Sequence, residues 1–360
     1  MDKQPIMRVK YWGARGSIPA PLTPHEVRNK LRVFTERLLG YGIEKVLTDG
    51  NIDPAKLDKY LESLPPSVSG TYSGNTTSVE IQVKDAPLIM IDCGTGARLL
   101  GLELMKRVGT GNRHFNPLAE SREIPSREVH LFLSHLHWDH IQGFPFFVPA
   151  FVKGTTIHVY GRANSRKKLE GSLEGQQEFP NFPVEFHDLP AEIECTEMRR
   201  FGTDPISLKS AIVTPMELSH PDGVFAYRID ATDKFGTRKA AYAFATDTEQ
   251  RDVEDPRLVK LAKGAQVLYY DAQYTPEEYP GKIDWGHSTF IWAVRTALAA
   301  EVPMVVLGHH EPVRDDFALE EVLDRARKFK NEQLKLPQNE GKKLKIVLAQ
   351  EGLMHEFEEE

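Results

Sequence analysis

Cysteine is scarce in this chain: Cys93 and Cys195 are the only two in 360 residues. A polypeptide of this length buries enough apolar surface to fold without disulfide staples. The pair therefore reads as two small buried hydrophobes in a reducing compartment rather than as a bridge. Also missing is any apolar run near the ~18 residues that a membrane-spanning helix requires. Met1 to Lys10 is polar and has no apolar signal core, so a cytoplasmic protein is expected. No internal repeat or low-complexity tract is visible. Positive charge is not in excess either: the formal net charge is −7 at pH 7. That balance weighs weakly against a protein that grips long nucleic acid over its whole surface. The local basic cluster Arg162, Arg166, Lys167 and Lys168 reads as a solvated helix face, and Glu356 to Glu360 around Phe357 as a solvated tail.

What remains is 40% apolar and 27% charged, ordinary for a globular chain. Strand candidates are Leu88–Ile91, His130–Leu133, Thr156–Tyr160, Leu208–Val213, Val224–Ile229, Ala241–Ala245, Gln266–Tyr270, Met304–Leu307 and Leu344–Leu348. Several are apolar at consecutive positions, as strands covered on both faces are. Asp53-Pro54 predicts a helix start, with Leu57, Leu61 and Leu64 at helical spacing after it. Val27, Leu31, Phe34 and Leu38 form a second stripe, for which core packing is the expected use. Further helices are expected over 288–300 and 316–334. Strands alternating with helices predict a layered α/β domain. We expect one domain over residues 1–360, with 22–70 as a helical insertion.

Chemistry concentrates in Ser134-His135-Leu136-His137-Trp138-Asp139-His140. Four potential metal ligands lie within six residues, and imidazole with carboxylate is a donor set that Zn²⁺ favours. Residues two apart do not face each other on a helix, so a tight loop after a strand is predicted. Other polar residues sit at the ends of predicted strands: Asp92 after Leu88–Ile91, His220 after Leu208–Val213, Asp247 after Ala241–Ala245, and His309 after Met304–Leu307. Ligands of open α/β sheets gather at that edge. Taken singly, His220 or Asp247 is an ordinary turn residue; the joint placement makes them ligand candidates.

On these residues the chain resembles the metallo-β-lactamase-fold hydrolases, in the branch of tRNase Z and the cyclic-nucleotide phosphodiesterases. The motifs carrying the resemblance are Gly13-Ala14-Arg15-Gly16-Ser17-Ile18-Pro19, Ser73-Gly74-Asn75-Thr76-Thr77-Ser78, Ile91-Asp92-Cys93-Gly94-Thr95-Gly96, the histidine loop, His220, Thr246-Asp247-Thr248, Gly286-His287-Ser288-Thr289 and Leu307-Gly308-His309-His310. The resemblance implies a four-layer αββα sandwich holding two divalent metal ions, zinc first, with manganese or iron as alternatives. By position, His135, His137 and His220 would hold the first ion, and Asp139, His140 and His309 the second. Asp247 would bridge them. Two such ions share a hydroxide and clamp a phosphoryl oxygen. Asp92 is the candidate outer partner that fixes a ligand's tautomer, with a strand-end cap as its plainer reading.

Adjacent residues on extended backbone point opposite ways, so one of His309 and His310 is expected to bind metal. Motif alignment selects His309. Family position makes His287 a general acid for the leaving oxygen and gives Asp139 a catalytic role beside its ion. Arg15, His310 and Phe144 are candidate substrate contacts. The expected reaction is hydrolysis of a phosphodiester, foremost in a 3′,5′-cyclic nucleotide. A tRNase Z-like RNA 3′-end endonuclease is the alternative. It is disfavoured by the interval Thr248 to Gly308, which has no long basic docking arm. A nucleotide sensor with little turnover is a third reading. The family also suggests a homodimer.

Overall fold

A computed structural model describes residues 4–111, 114–162, 168–198 and 204–359. Two seven-stranded mixed sheets face each other. In the first, the order is Met354–Phe357, Met7–Gly13, Ser78–Val83, Leu88–Ile91, Glu128–Phe132, Thr156–Gly161 and Glu192–Glu197. The first four strands pair antiparallel and the rest join in parallel. In the second, Lys345–Leu348, Met304–Gly308, Val267–Asp271 and Arg238–Ala245 are parallel. Val224–Thr232, Ala211–Leu218 and Ile206–Leu208 continue it antiparallel.

The two-residue period of a strand explains why these segments are apolar throughout. Along Arg238–Ala245, Ala240, Tyr242 and Phe244 point between the sheets and meet Val9, Ile81 and Phe132. The intervening Ala241, Ala243 and Ala245 point outward, against helices Pro256–Ala262, Phe290–Ala299 and Asp316–Gln333. Across the other sheet, Leu100 and Leu104 of helix Gly96–Gly109 cover Met90, Leu131 and Val159. The layers are thus helix, sheet, sheet, helix, as the resemblance implied. No helix among the described residues is long and apolar enough to cross a membrane.

Three expectations fail for physical reasons. The segment read as a single strand over 208–213 is two strands, because Lys209 (φ 58°) and Ser210 turn between Ile206–Leu208 and Ala211–Leu218. The supposed acidic tail is partly structured. Met354–Phe357 pairs with Met7–Gly13, Phe357 is buried, and Arg8 Nε meets Glu356 Oε1 at 2.6 Å. The Val27 stripe is not core. Helix Pro24–Tyr41 starts on a Thr23–Glu26 capping box and buries only Lys30. Val27 and Leu31 are 42% and 59% exposed. Ion pairing anchors this helix: Lys30 Nζ lies 2.6 Å from the buried Asp316 carboxylate. Of the basic cluster, Arg162 pairs with Glu217 at 2.9 Å, while Arg166 and Lys167 lie outside the described residues.

Candidate metal centre

The C-terminal ends of the parallel strands converge where the two sheets meet. Three residues leave those ends with left-handed backbone: Asp92 (φ 58°), Asp247 (φ 46°) and His309 (φ 56°). Non-glycine residues rarely adopt this region, and such strain persists where surrounding structure enforces it. Each turn swings its side chain into one buried space. The histidine run is less of a loop than expected. It leaves strand Glu128–Phe132 and then forms one helical turn, Trp138–Ile141, that carries Asp139 and His140. Gly94 lets this turn approach, since a Cβ there would lie 2.4 Å from Asp139 O.

Two groups of donor atoms result, His135, His137, His220 and Asp247 on one side and Asp139, His140 and His309 on the other, while Asp271 and His287 form a further group with Asp247 and His309. Asp247 faces both. Its Oδ1 lies 3.4 Å from His140 Nε2 and 3.2 Å from His309 Nε2, and its Oδ2 lies 3.6 Å from His135 Nε2. Asp139 Oδ2 lies 3.2 Å from His140 Nε2 and 3.1 Å from His309 Nε2, and accepts from Ser17 N at 2.8 Å. His137 is half exposed, with Nε2 3.1 Å from Asp222 Oδ2.

The electrostatics follow from burial and crowding. Burial would raise Asp247, but His309, His140 and His135 outweigh it and hold the carboxyl well below its usual range. Asp139 is likewise driven well below normal by His140 and His309 against the effect of burial. Burial, aided by His140, depresses His135, and burial brings His220 to about 4. Those two rings are neutral near pH 7, which is the ligating form. His140 goes the other way: burial is outweighed by Asp139, Asp247 and Asp92.

Divalent cations fit this donor set. The Nε2 atoms of His135, His140 and His220 are buried with no hydrogen-bond partner, a cost of about 1–3 kcal/mol each unless something else engages them. Asp92, Asp139, Asp247 and Asp271 are all buried close by, and buried charges are found paired or bound to metal.

The supporting shell holds Asp92, the outer partner expected from sequence, together with residues not anticipated there. Asp92 accepts from Ser134 N (2.7 Å) and Ser134 Oγ (2.9 Å) as well as from His140 Nδ1. Gln273 Oε1 accepts from His309 Nδ1 at 2.9 Å. Asp271 Oδ2 accepts from His287 Nδ1 at 3.0 Å. Asp271 ends strand Val267–Asp271, so the strand-end rule applied to Asp92 and Asp247 had the means to find it. His287 is buried beside Asp247, its Nδ1 3.7 Å from Oδ2. Burial lowers His287, but Asp271, with Asp247 and Asp139, raises it to about 9.

The substrate-contact expectations are corrected. Arg15 is 2% exposed and spends its guanidinium on the carbonyls of Ser73 (2.7 Å), Arg314 (2.8 Å) and Glu311 (3.1 Å). His310 is buried, with Nε2 2.8 Å from Ala349 O, so it turns away from the cluster that His309 joins. Phe144 is fully buried against Phe186. Arg15 and His310 are thus engaged by backbone carbonyls, and Phe144 by packing. The Ser73-Gly74-Asn75 motif also has a structural use: Ser73 Oγ, Gly74 N and Asn75 N all donate to Glu351 Oε1, at 2.9, 2.6 and 2.8 Å.

Residues 88–310 match the profile of the family described as the beta-lactamase superfamily domain. Among curated relatives, the ribonuclease Z of Porphyromonas gingivalis is 24% identical over 279 residues, spanning 67% of this chain and 84% of its own. Among solved structures, the fold is similar to unliganded yeast PDE1, with TM-score 0.56 and 13% identity over 98% of this chain and 99% of that one. It is also similar to the short form of human tRNase Z, with TM-score 0.55 and 15% identity over 97% and 99%.

Proposed function

This chain belongs to the beta-lactamase superfamily, and we propose that within it the protein is a metal-dependent phosphodiesterase acting on RNA. The observation that carries the hydrolytic reading is the division of Asp247, whose two oxygens face two separate groups of imidazoles. His135, His137 and His220 would hold one divalent cation, Asp139, His140 and His309 a second, and Asp247 both. Zinc suits the imidazole-rich set best. When bound, such a pair supplies Lewis-acid activation of the phosphoryl group and a water of lowered pKa.

The remaining steps belong to side chains of the chain itself. Asp271 fixes His287 through Nδ1 and favours its charged form. His287 Nε2 is then the atom that holds a proton for the leaving oxygen, the role of a general acid. Trp138 and Trp285 are exposed beside His137 and Gly286. Lys282 Nζ sits 3.9 Å from the Trp285 ring centroid. Aromatic faces and a cation next to the cluster suit the bases and backbone of a single strand.

RNA takes precedence over the cyclic nucleotide because a curated relative, 84% of whose length aligns with this chain, is a ribonuclease Z. The cyclic-nucleotide reading keeps one observation in its favour. Between Asp247 and His309 the chain forms helix Pro256–Ala262, strand Val267–Asp271 and helix Phe290–Ala299, and no extended basic arm of the kind that docks tRNA. The test is turnover by zinc- and manganese-loaded protein of a precursor tRNA, cyclic AMP, cyclic GMP and bis-p-nitrophenyl phosphate. Cleavage of the precursor supports RNA. Cleavage of cyclic nucleotides alone selects the second reading. Nucleotide binding without turnover of any of the four rejects hydrolysis in favour of a sensor.

A further inference from the structure

At the other end of strand Glu128–Phe132, only five to seven residues before His135 in sequence, the first sheet carries a second group of ligand-type side chains. Alternation along this strand sends Phe132 toward the other sheet and Val129 and Leu131 toward the helices. Glu128 and His130 share the face of Phe132. In the neighbouring parallel strand His158 pairs in register with His130, and Glu194 follows beside His158. A row of Glu128, His130, His158 and Glu194 therefore lies on a face whose next layer, Phe132 and Tyr160, is core. Polar groups in such a place are costly unless something engages them.

Their arrangement is that of a ligand set. The imidazoles stack with centroids 4.5 Å apart and planes 21° from parallel, which brings both Nε2 atoms to the same side. Both approach one carboxylate oxygen: His158 Nε2 is 3.0 Å and His130 Nε2 3.4 Å from Glu128 Oε1. The opposite nitrogens are each held from outside, His130 Nδ1 by Tyr160 Oη at 3.1 Å and His158 Nδ1 by Glu194 Oε2 at 2.9 Å. A metal-binding histidine is oriented in this way, its far nitrogen tied to a carboxylate or other polar group so that the near one faces the ion. One donor atom from each of Glu128, His130 and His158 lies within 4.8 Å of the others. The side chains are 16%, 7% and 20% exposed, which gives an ion a way in and leaves water access to a fourth position.

We propose that Glu128, His130 and His158 form a separate transition-metal site of the zinc class, with Tyr160 and Glu194 as positioning residues. Two imidazoles and a carboxylate with an open fourth position are a known zinc arrangement. None of these side chains belongs to the groups around Asp247, so the site is independent of the reaction proposed above.

The experiment uses the full chain, stripped with chelator, re-equilibrated with zinc chloride and measured for bound metal by mass spectrometry, with zinc titration calorimetry alongside. Wild type is expected to carry one zinc per chain more than His158→Gln or His130→Gln, with phosphodiester turnover unchanged in both variants. Asp247→Ala is expected to retain this ion while losing those of the other centre. Glu194→Gln and Tyr160→Phe keep the ligands and are expected to weaken the extra site by roughly 10- to 100-fold. Circular dichroism confirms that each variant is folded, and Glu128→Gln serves as the third ligand variant should a histidine replacement unfold. Equal zinc content in wild type and the folded ligand variants would overturn the proposal.

Discussion

Asp92 Oδ2 accepts a hydrogen bond from His140 Nδ1 at 2.8 Å, and neither side chain has any exposure to solvent. This contact decides which nitrogen of His140 faces Asp139 and Asp247. Asp92→Asn replaces an acceptor oxygen by an amide that can also donate, while Ser134 N and Oγ still require acceptors. Affinity for the second ion is expected to fall about 10- to 100-fold, measured by competition with a chromophoric chelator. Unchanged affinity would show that the neighbouring helical turn orients His140 unaided.

Asp247→Ala should remove metal and turnover together, because one carboxylate faces both groups of imidazoles. Metal content per chain and hydrolysis of bis-p-nitrophenyl phosphate are measured on the same preparation. Full activity in this variant would mean that the ligands are wrongly assigned.

His287→Ala should keep its metal and slow turnover by about 10²–10⁴-fold on substrates whose leaving oxygen needs a proton. The loss should be much smaller for p-nitrophenolate, a good leaving group. Asp271→Asn, which removes the partner of Nδ1, should reproduce the same pattern in weaker form. Equal slowing for good and poor leaving groups would remove His287 from proton transfer.

Lys30→Met should loosen helix Pro24–Tyr41, since Lys30 is the one residue that helix buries and it pairs with buried Asp316. Breaking a buried pair by removing one partner costs about 3–5 kcal/mol. Arg15 Nη2, 3.8 Å from the same carboxylate, places the expected loss at the low end. Urea unfolding measures the loss, and faster proteolysis over 42–53 locates it.

Stability should fall in acid partly through His355. Burial, with Lys345 nearby, lowers this imidazole to about 4, against about 6.5 in an unfolded chain. Between those values the unfolded chain binds the extra proton. The contribution is therefore whole above pH 6.5 and is lost as pH falls toward 4. His355→Phe keeps an aromatic ring against Tyr11, which the imidazole meets edge-on at 5.8 Å. The variant should show a smaller drop in Tm between pH 6.5 and 4 than wild type; parallel curves would assign the acid loss to other groups.

Much of the fold was readable because apolar runs such as Leu88–Ile91 and Met304–Gly308 are buried on both faces and leave no ambiguity about sheet layers. The His135–His140 run was readable because four ligand-type residues within six positions have few other uses. Strand Glu192–Glu197 escaped notice, since this edge strand carries three glutamates and has only Ile193 and Cys195 as an apolar signature. Asp271, Gln273 and Glu351 escaped notice as well, because each acts on a group distant in sequence: His287, His309 and the Ser73–Asn75 backbone.

The amino-acid order alone determined the kinds of donor available, five imidazoles and two carboxylates, and their placement at the ends of strands, since ligand chemistry belongs to the residue and strand ends follow local patterning. Only the tertiary structure decided how Asp247 divides its oxygens and that His310, passed over by the motif alignment, is engaged by Ala349 O. It also decided that Arg15 is spent on backbone carbonyls instead of a phosphate. Direction and burial are set by non-local contacts, in which a carbonyl from Arg314 or Ala349 competes for the same side chain that a substrate would use.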